Sequence, residues 1–288
     1  MLTRKTASVG RSNTLDLGRR WTSSVSMSAL AALAGLISSI ACAAPSTLQR
    51  AERGDVEAQI ELADSLRGRE AGDPSGDSAD SADPAGATAA PDLTAARLWY
   101  RRAAEQGDAR AQLRLAELYY AGEGGEVDYS EAAHWARMAA LQGYAPAESF
   151  MGGLHRVGAG VPLDHEEAVR WYRPAAEQGD AAAQFFLAAA YDFGSGVEAD
   201  PAEALRWYLR AAEQGSEDAQ LNVGLLYLLG DPRRRDEVEA LKWLLLAAVQ
   251  GNEKARKTAS ELHRQLSPEQ RKEAALLLDQ WGSVHDLD

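Results

Sequence analysis

The stretch AAEQGDARAQLRLAELYYAG, from Ala103 to Gly122, decides the fold because its pattern returns along the chain at a fixed spacing. Three residue types recur every 36 residues: a tryptophan, an aspartate and the glycine of a Gln-Gly pair. They are Trp99, Trp135, Trp171, Trp207 and Trp243; Asp92, Asp128, Asp164, Asp200 and Asp236; and Gly107, Gly143, Gly179, Gly215 and Gly251. A period of about 20–50 residues is typical of a solenoid, in which each repeat packs on its neighbours.

Each period contains the start and stop signals of two helices. The aspartates stand where an N-cap belongs, and a glutamate follows three residues later, as in a capping box, at Glu131, Glu167, Glu203 and Glu239. The second helix ends at the Gln-Gly pair, whose glycine permits a left-handed turn. The next helix carries an apolar stripe, Ala111, Leu115, Ala116 and Tyr119 in one copy. We therefore predict an all-α, right-handed α-solenoid of stacked antiparallel helix pairs.

The copy from Ala176 to Ala212 resembles the Sel1-like repeat, a relative of the tetratricopeptide repeat. It has the family's turn glycine, Ala-Gln pair, tyrosine, Gly-x-Gly joint, tryptophan and Ala-Ala pair, at Gly179, Ala183, Gln184, Tyr191, Gly194, Gly196, Trp207, Ala211 and Ala212. The resemblance extends over about Gly54 to Gly251. It implies a non-enzymatic adaptor or regulator of envelope or signalling complexes, often bacterial and often periplasmic or secreted.

The first 43 residues have the composition of a secretory signal. A basic segment precedes a small, apolar run from Val25 to Ala41, and Ala41-Cys42-Ala43 has the small-x-small pattern of a cleavage site. We therefore predict cleavage after Ala43 or Ala44, no membrane insertion afterwards and a periplasmic location. An uncleaved N-terminal anchor is the alternative. A lipoprotein cysteine at Cys42 and a twin-arginine signal fit the pattern less well.

The remaining chain divides by composition into four parts. Residues 44–66 are predicted to begin a first, partial helix pair, and residues 67–91, rich in Gly, Ser, Ala, Asp and Pro, to be a disordered insertion. Residues 92–251 hold the repeats. Residues 252–288 are predicted to form capping helices and a tail, with a second type of capping box at Ser267 and Gln270.

Three positions depart from the repeat pattern. Pro174 lies inside a second helix, where it is predicted to cause a tolerated local bend; a functional hinge is the alternative. His155 replaces the tyrosine of other copies and is predicted to be a core histidine rather than a ligand. The basic run from Arg233 to Arg235 is predicted to be a solvated loop.

The composition excludes several classes of function. The chain has 30 basic and 43 acidic residues, for a formal net charge of −13, which argues against nucleic acid and anionic membranes as partners. Its single cysteine, Cys42, excludes a disulfide framework. The five histidines lack metal-ligand spacing, no GxSxG motif is present, and the Gly-x-Gly joints follow helices and lack a P-loop lysine. We expect no enzyme activity, no cofactor and no metal.

Function is therefore expected from the concave wall of the solenoid, which the first helices of the pairs should line. The residues 10 and 13 positions after each turn glycine are expected to be exposed there. Of these, Glu117, Tyr120, Arg156, Asp192, Leu225 and Leu228 are the predicted partner-binding residues, with Gly153 and Ala189 between them. They form a surface that is charged at one end and apolar at the other, suited to a peptide or a partner's helix. The alternative is that they are ordinary exposed positions.

The sequence leaves two other functions open. The chain could be a structural array that associates with itself. It could also be a hydrolase or binding protein for cell-wall or β-lactam substrates, because penicillin-type binding has been proposed for some disulfide-rich members of the family it resembles. Those relatives carry a cysteine pair in each repeat, and this chain has none.

Overall fold

The computed structural model describes residues 46–68, 92–230 and 235–284, which contain thirteen α-helices and no strand. The helices are α1 (Thr47–Glu52), α2 (Val56–Arg67), α3 (Leu93–Glu105), α4 (Ala109–Ala121), α5 (Tyr129–Ala140), α6 (Ala145–Val157), α7 (His165–Glu177), α8 (Ala181–Phe193), α9 (Pro201–Glu213), α10 (Glu217–Leu229), α11 (Glu237–Val249), α12 (Glu253–Gln265) and α13 (Pro268–Val284). From α1 to α12 each helix packs on the next, and α13 packs on α11, so that pairs of helices stack along the chain. This confirms the predicted solenoid class.

The turn glycines divide the chain into repeats. We number them I (55–107), II (108–143), III (144–179), IV (180–215) and V (216–251). In each, the first helix is α2, α4, α6, α8 or α10, and the second is α3, α5, α7, α9 or α11. The turn glycines themselves have φ between 76° and 107°, which confirms the predicted left-handed turns. A residue with a side chain would be strained there.

The predicted N-caps of the second helices are confirmed. The side chains of all five aspartates accept hydrogen bonds from backbone N–H groups of the first helical turn, at 2.9–3.1 Å. A cap of this kind stabilises a helix by about 1 kcal/mol. The period of 36 residues therefore repeats a helix start as well as a core position.

The predicted capping box at the glutamates lacks its second bond, in which the glutamate side chain would accept from the backbone N–H of the capping aspartate. The N–H of Asp128 donates to the carbonyl of Tyr119, at 2.9 Å, and thereby joins α5 to α4. Because that N–H is already used, the Glu131 carboxylate accepts from the indole N–H of Trp135 instead, at 3.0 Å. The reciprocal box does form at the C-terminal cap. There, the Ser267 N–H donates to Gln270, and the Gln270 N–H donates to Ser267, at 2.9 and 3.2 Å.

The core lies between the helices of each pair and between successive pairs. The predicted core role of the tryptophans is confirmed for Trp207 and Trp243, which are buried, whereas the other three are half-buried. The next position along the chain is the more completely buried one, at Tyr100, Ala136, Tyr172, Tyr208 and Leu244. Burial of a large side chain contributes about 1.5–3 kcal/mol, so this row supplies much of the stability.

A ladder of buried glutamines ties each repeat to the next. Gln184 of α8 donates to the carbonyl of Ala176 at 3.1 Å and accepts from the side chain of Gln214 at 2.8 Å. The same pair of bonds forms at Gln59, Gln112 and Gln220. In repeat III the ladder residue is Glu148, which accepts from the Gln178 side chain at 2.8 Å. An ionised carboxylate has no N–H to donate, so this repeat lacks the second bond.

Two of the departures from the repeat pattern are accommodated within ordinary helices. Helix α7 continues from His165 to Glu177 with Pro174 near its end, in keeping with a tolerated local feature. His155 is buried, with its Nδ1 atom 3.3 Å from the Pro162 carbonyl, and it lies in the position of a core residue as predicted.

The predicted signal segment, Cys42, most of the predicted insertion (residues 69–91), Arg233 and Arg234 lie outside the described residues. Helix α2 extends through Arg67, which is therefore helical. Arg235 pairs with Glu237 at 2.7 Å. Within the described ranges, no helix is long and apolar enough to cross a membrane.

Candidate functional site: the exposed face of the first helices

The first helices expose one continuous face, formed by the residues 7, 10 and 13 positions after each turn glycine. Spacings of three residues place these positions on one side of a helix. We call this surface the first-helix face. In repeats II to V it comprises Arg114, Glu117 and Tyr120; Phe150, Gly153 and Arg156; Phe186, Ala189 and Asp192; and Asn222, Leu225 and Leu228.

At the N-terminal end of the first-helix face, the charges neutralise one another. The carboxylate of Glu117 lies 3.0 Å from the guanidinium of Arg114 and 3.8 Å from that of Arg67. Arg67 also pairs with Glu123, at 3.2 Å. This end therefore presents a network of paired charges, and neither arginine is available without breaking an ion pair.

In the middle of the face, aromatic rings replace the ion pairs. The ring of Tyr120 lies 5.6 Å from that of Phe150 and 5.3 Å from that of Tyr129. One repeat further on, Phe186 stacks on Tyr172 of α7 at 5.4 Å. The guanidinium of Arg156 lies over the ring of Phe186, 4.6 Å from its centre. These distances are typical of favourable aromatic and cation–π contacts.

Two positions next to these aromatic residues have small side chains, Gly153 and Ala189, and we call the space above them the recess. Gly153 and Ala189 occupy the positions that Glu117 and Leu225 fill in the neighbouring repeats. A Cβ atom at Gly153 would lie 3.9 Å from the Tyr172 hydroxyl, which leaves room for a side chain at that point. Repeats II and V lack the recess, because Glu117 and Leu225 have larger side chains at this position.

The close approach of α6 and α7 depends on the preceding glycine. A Cβ atom at Gly152 would lie 2.6 Å from the Tyr172 ring, so only glycine allows this packing without a shift. Tyr172 is buried, and burial raises the pKa of its hydroxyl, although the neighbouring Arg156 lowers it in part. The hydroxyl is thus neutral at physiological pH.

Asp192 comes three residues after Ala189 in α8 and is half-buried. Burial raises the pKa of its carboxyl group. The pKa of the Tyr208 hydroxyl is also raised, first by burial and then by the negative charge of Asp192. The middle of the face therefore has a cation in repeat III and a desolvated carboxyl group in repeat IV.

The six predicted partner-binding residues do lie on one face, but their surroundings differ. Tyr120 and Arg156 are exposed, and Glu117 and Asp192 are half-buried. Leu225 and Leu228 are partly buried against the core cluster that contains Leu241, Leu262 and Leu266. The apolar end of the face is thus partly covered by the protein itself.

Sequence reasoning missed the position seven residues after the turn glycine, which supplies Phe150 and Phe186. The same spacing of three residues that linked positions 10 and 13 could have identified it. Among the described residues, no group of three or more His, Cys, Asp or Glu side chains is placed to hold a metal ion.

The repeat geometry is matched by a family model. The model of the Sel1 repeat matches residues 86–108, 109–144, 145–180, 181–216 and 217–252, which together make up more than half of the chain. The chain belongs to the Sel1 repeat family. This fold is typically a non-catalytic scaffold for protein–protein interaction.

Two solved structures of bacterial proteins are similar to this Sel1 repeat protein. One is a Sel1 repeat protein from Oxalobacter formigenes, with 32% sequence identity and a TM-score of 0.63, which covers 75% of this chain and 57% of that one. The other is c5321 of uropathogenic Escherichia coli, described as a protective antigen, with 28% identity and a TM-score of 0.50, which covers 82% of this chain and 55% of that one. The chain thus spans little more than half the length of each. No curated protein matches it.

Proposed function

We propose that the chain is an exported scaffold that binds a protein or peptide partner through the concave face formed by its first helices. In this role it acts as an adaptor or regulator of an envelope or signalling complex. The observation that carries the proposal is the set of aromatic and cationic side chains in the middle of the first-helix face: Tyr120 and Arg156 are exposed there, and Phe150 and Phe186 are half-buried. Tyrosine and arginine are enriched among the residues that dominate binding energy at protein interfaces.

The repeat architecture supports this proposal in a second way. A row of residues that is nearly the same in every repeat serves packing, as the buried glutamines do in four of the five repeats. The first-helix face instead changes its chemistry from one repeat to the next, from ion pairs to aromatic rings to leucines. Such variation on a constant framework is how solenoids distinguish one extended partner from another.

The binding proposal is tested by a pull-down from an envelope extract with residues 44–288. The test variant is the double mutant Tyr120→Ala/Arg156→Glu. The matched control is Leu141→Ala/Arg137→Glu, which makes an apolar truncation and the same charge reversal at exposed positions at the end of α5. Circular dichroism establishes that all three proteins are equally folded.

A partner that binds the wild type and the control but not the test variant is the expected result. A partner held equally by all three proteins would place binding elsewhere on the molecule. If the wild type retains no partner and instead associates with itself in sedimentation, the chain is a structural array and the proposal fails.

The proposed location is the periplasm, and it rests on the composition of the first 43 residues. Fractionation of cells that express the tagged full chain tests it. The expected product is a shortened protein that begins at Ala44 or Pro45 and is released with the periplasmic fraction. A full-length protein in the cytoplasmic fraction would contradict export.

A further inference from the structure

We propose that the partner segment presents a carboxylate next to a bulky apolar side chain. The carboxylate pairs with Arg156, and the apolar side chain enters the recess at Gly153 and Ala189. This inference rests on the proposed function, because it gives the chemistry of the partner at the same face.

The charge balance around Arg156 is the first argument for a carboxylate. Among the described residues, no carboxylate lies within ion-pair distance of its exposed guanidinium. The residue at the same position in repeat I, Arg67, is by contrast paired with Glu117 and Glu123. In a chain with a net charge of −13, an exposed arginine without an acidic partner is open to an anion from outside.

The position of the guanidinium is the second argument. Arg156 lies over the Phe186 ring, 4.6 Å from its centre, and is therefore held on the surface rather than moving freely in solvent. A planar guanidinium that is fixed at its face keeps its edge for hydrogen bonds, and its donors match the two oxygens of a carboxylate. Less side-chain entropy is lost on binding when the donor is already in place.

The recess defines what lies next to the carboxylate. Phe150 and Phe186 come three residues before Gly153 and Ala189 on their helices, and a Cβ atom at Gly153 would lie 3.9 Å from the hydroxyl of the buried Tyr172. A phenylalanine, leucine or tryptophan side chain suits this position, because neighbouring aromatic rings favour apolar and aromatic contacts. A polar side chain would lose its hydration there without gaining a partner.

Asp192 sets the direction of the bound segment. It lies one repeat beyond Arg156, and its half-buried carboxylate would repel a second acid. It accepts hydrogen bonds when ionised, so a backbone N–H, a hydroxyl or a lysine of the partner fits opposite it. The acidic end of the segment therefore faces repeat III, and its donor end faces repeat IV.

The inference is tested by selection from a random library of 12-residue peptides displayed on phage. The targets are the folded wild-type residues 44–288, Arg156→Glu, the control Arg137→Glu, and Gly153→Leu, which fills the recess. Ala189→Leu serves the same purpose at the neighbouring repeat if Gly153→Leu fails to fold. The best wild-type peptide is then synthesised, and its Kd for every variant is measured by calorimetry.

The wild type and Arg137→Glu are expected to select peptides with Asp or Glu beside Phe, Leu or Trp. Arg156→Glu should weaken the best peptide at least tenfold and should select Lys or Arg at the acidic position. The recess-filling variant should weaken it by a similar factor.

The two proposals can fail separately. If filling the recess abolishes binding while Arg156→Glu changes neither affinity nor selected charge, the first-helix face binds peptides but the carboxylate inference is wrong. If neither variant changes binding, or if no peptide is selected, both proposals fail.

Discussion

Repeats III and IV have the same two helices and the same turns, yet repeat III lacks several interactions that stabilise repeat IV. The first helix of repeat IV is capped by Asp180, whose side chain accepts from the Ala183 N–H at 2.7 Å. The first helix of repeat III begins after Tyr144, whose side chain makes no capping bond. In the glutamine ladder, Gln184 of repeat IV makes two bonds, whereas Glu148 of repeat III makes one.

The packing of the two repeats differs in the same direction. Repeat IV has the buried Ala188 where repeat III has Gly152, and glycine weakens a helix by about 0.5–1 kcal/mol relative to alanine. The second helix of repeat III contains Pro174, which provides no N–H for a helical hydrogen bond. Repeat III thus gives up local stability at the place where the recess and the unpaired Arg156 lie. Natural proteins commonly depart from local rules at functional sites.

The largest expected effect comes from restoring the alanine of repeat IV in repeat III. Gly152→Ala should destabilise the protein by about 1–3 kcal/mol, because the added Cβ meets the Tyr172 ring at 2.6 Å. The adjacent Gly153→Ala should instead stabilise it by about 0.5–1 kcal/mol, since its Cβ has room and helix propensity improves. Urea denaturation of both variants measures the difference. Equal effects of the two substitutions would contradict the close packing of α6 on α7.

The next largest change in stability is expected at the glutamine ladder. Glu148→Gln should stabilise the protein at pH 7 by about 1–1.5 kcal/mol, because the amide can donate to the Ala140 carbonyl as the other ladder glutamines do to theirs. The reciprocal change, Gln184→Glu, should destabilise it by a similar amount. Urea denaturation at pH 7 measures both, and a destabilising Glu148→Gln would show that the carboxylate is the better ladder residue.

The gain from Glu148→Gln should also depend on pH. Burial raises the pKa of Glu148 above its ordinary value of 4.5, while the bond from Gln178 lowers it in part. The stability that the protonated acid contributes is complete below pH 4.5 and is lost as the pH rises through the raised pKa. The advantage of glutamine is therefore expected to be largest at pH 7 and to shrink toward pH 4.5. A gain that stays constant between these values would mean that Glu148 does not titrate there in the folded protein.

The smallest expected effect is at the helix start. Tyr144→Asp should add the cap that repeat IV has and stabilise the protein by about 0.5 kcal/mol, because the new cap is offset by lost packing of the half-buried tyrosine. Asp180→Ala is the matched loss and should cost about 1 kcal/mol. Thermal unfolding of the pair at one protein concentration compares them. If Asp180→Ala leaves the melting temperature unchanged, the Asp180 cap does not make the first helix of repeat IV more stable than that of repeat III.

The sequence predicts the features that lie within one repeat, because the N-cap aspartates, the turn glycines and the apolar stripe follow from short spacings. It does not predict the interactions between repeats. The bond from the Asp128 N–H to Tyr119 displaces the predicted capping box, and the hydrogen bond between the buried Gln184 and the exposed Gln214 joins side chains 30 residues apart. Their pairing depends on how neighbouring helices align, which periodicity does not specify.

The same limit applies to the candidate site. The spacing from the turn glycine is enough to place the six predicted partner-binding residues on one face. It could not show that Arg67 neutralises Glu117 while Arg156 has no acidic neighbour among the described residues. Nor could it show that Phe186 holds the Arg156 side chain. These contacts join different repeats, so they require the packed structure.

Native-state hydrogen exchange of residues 44–288 tests most directly the claim that repeat III trades local stability for a binding surface. Solenoids ordinarily open from their ends, so opening from the ends alone would make the protection of backbone amides rise toward the central repeats. The account predicts a local minimum instead, with the amides of α6 exchanging faster than those of α4 and α8 on either side. Protection that rises smoothly through α6 would contradict it.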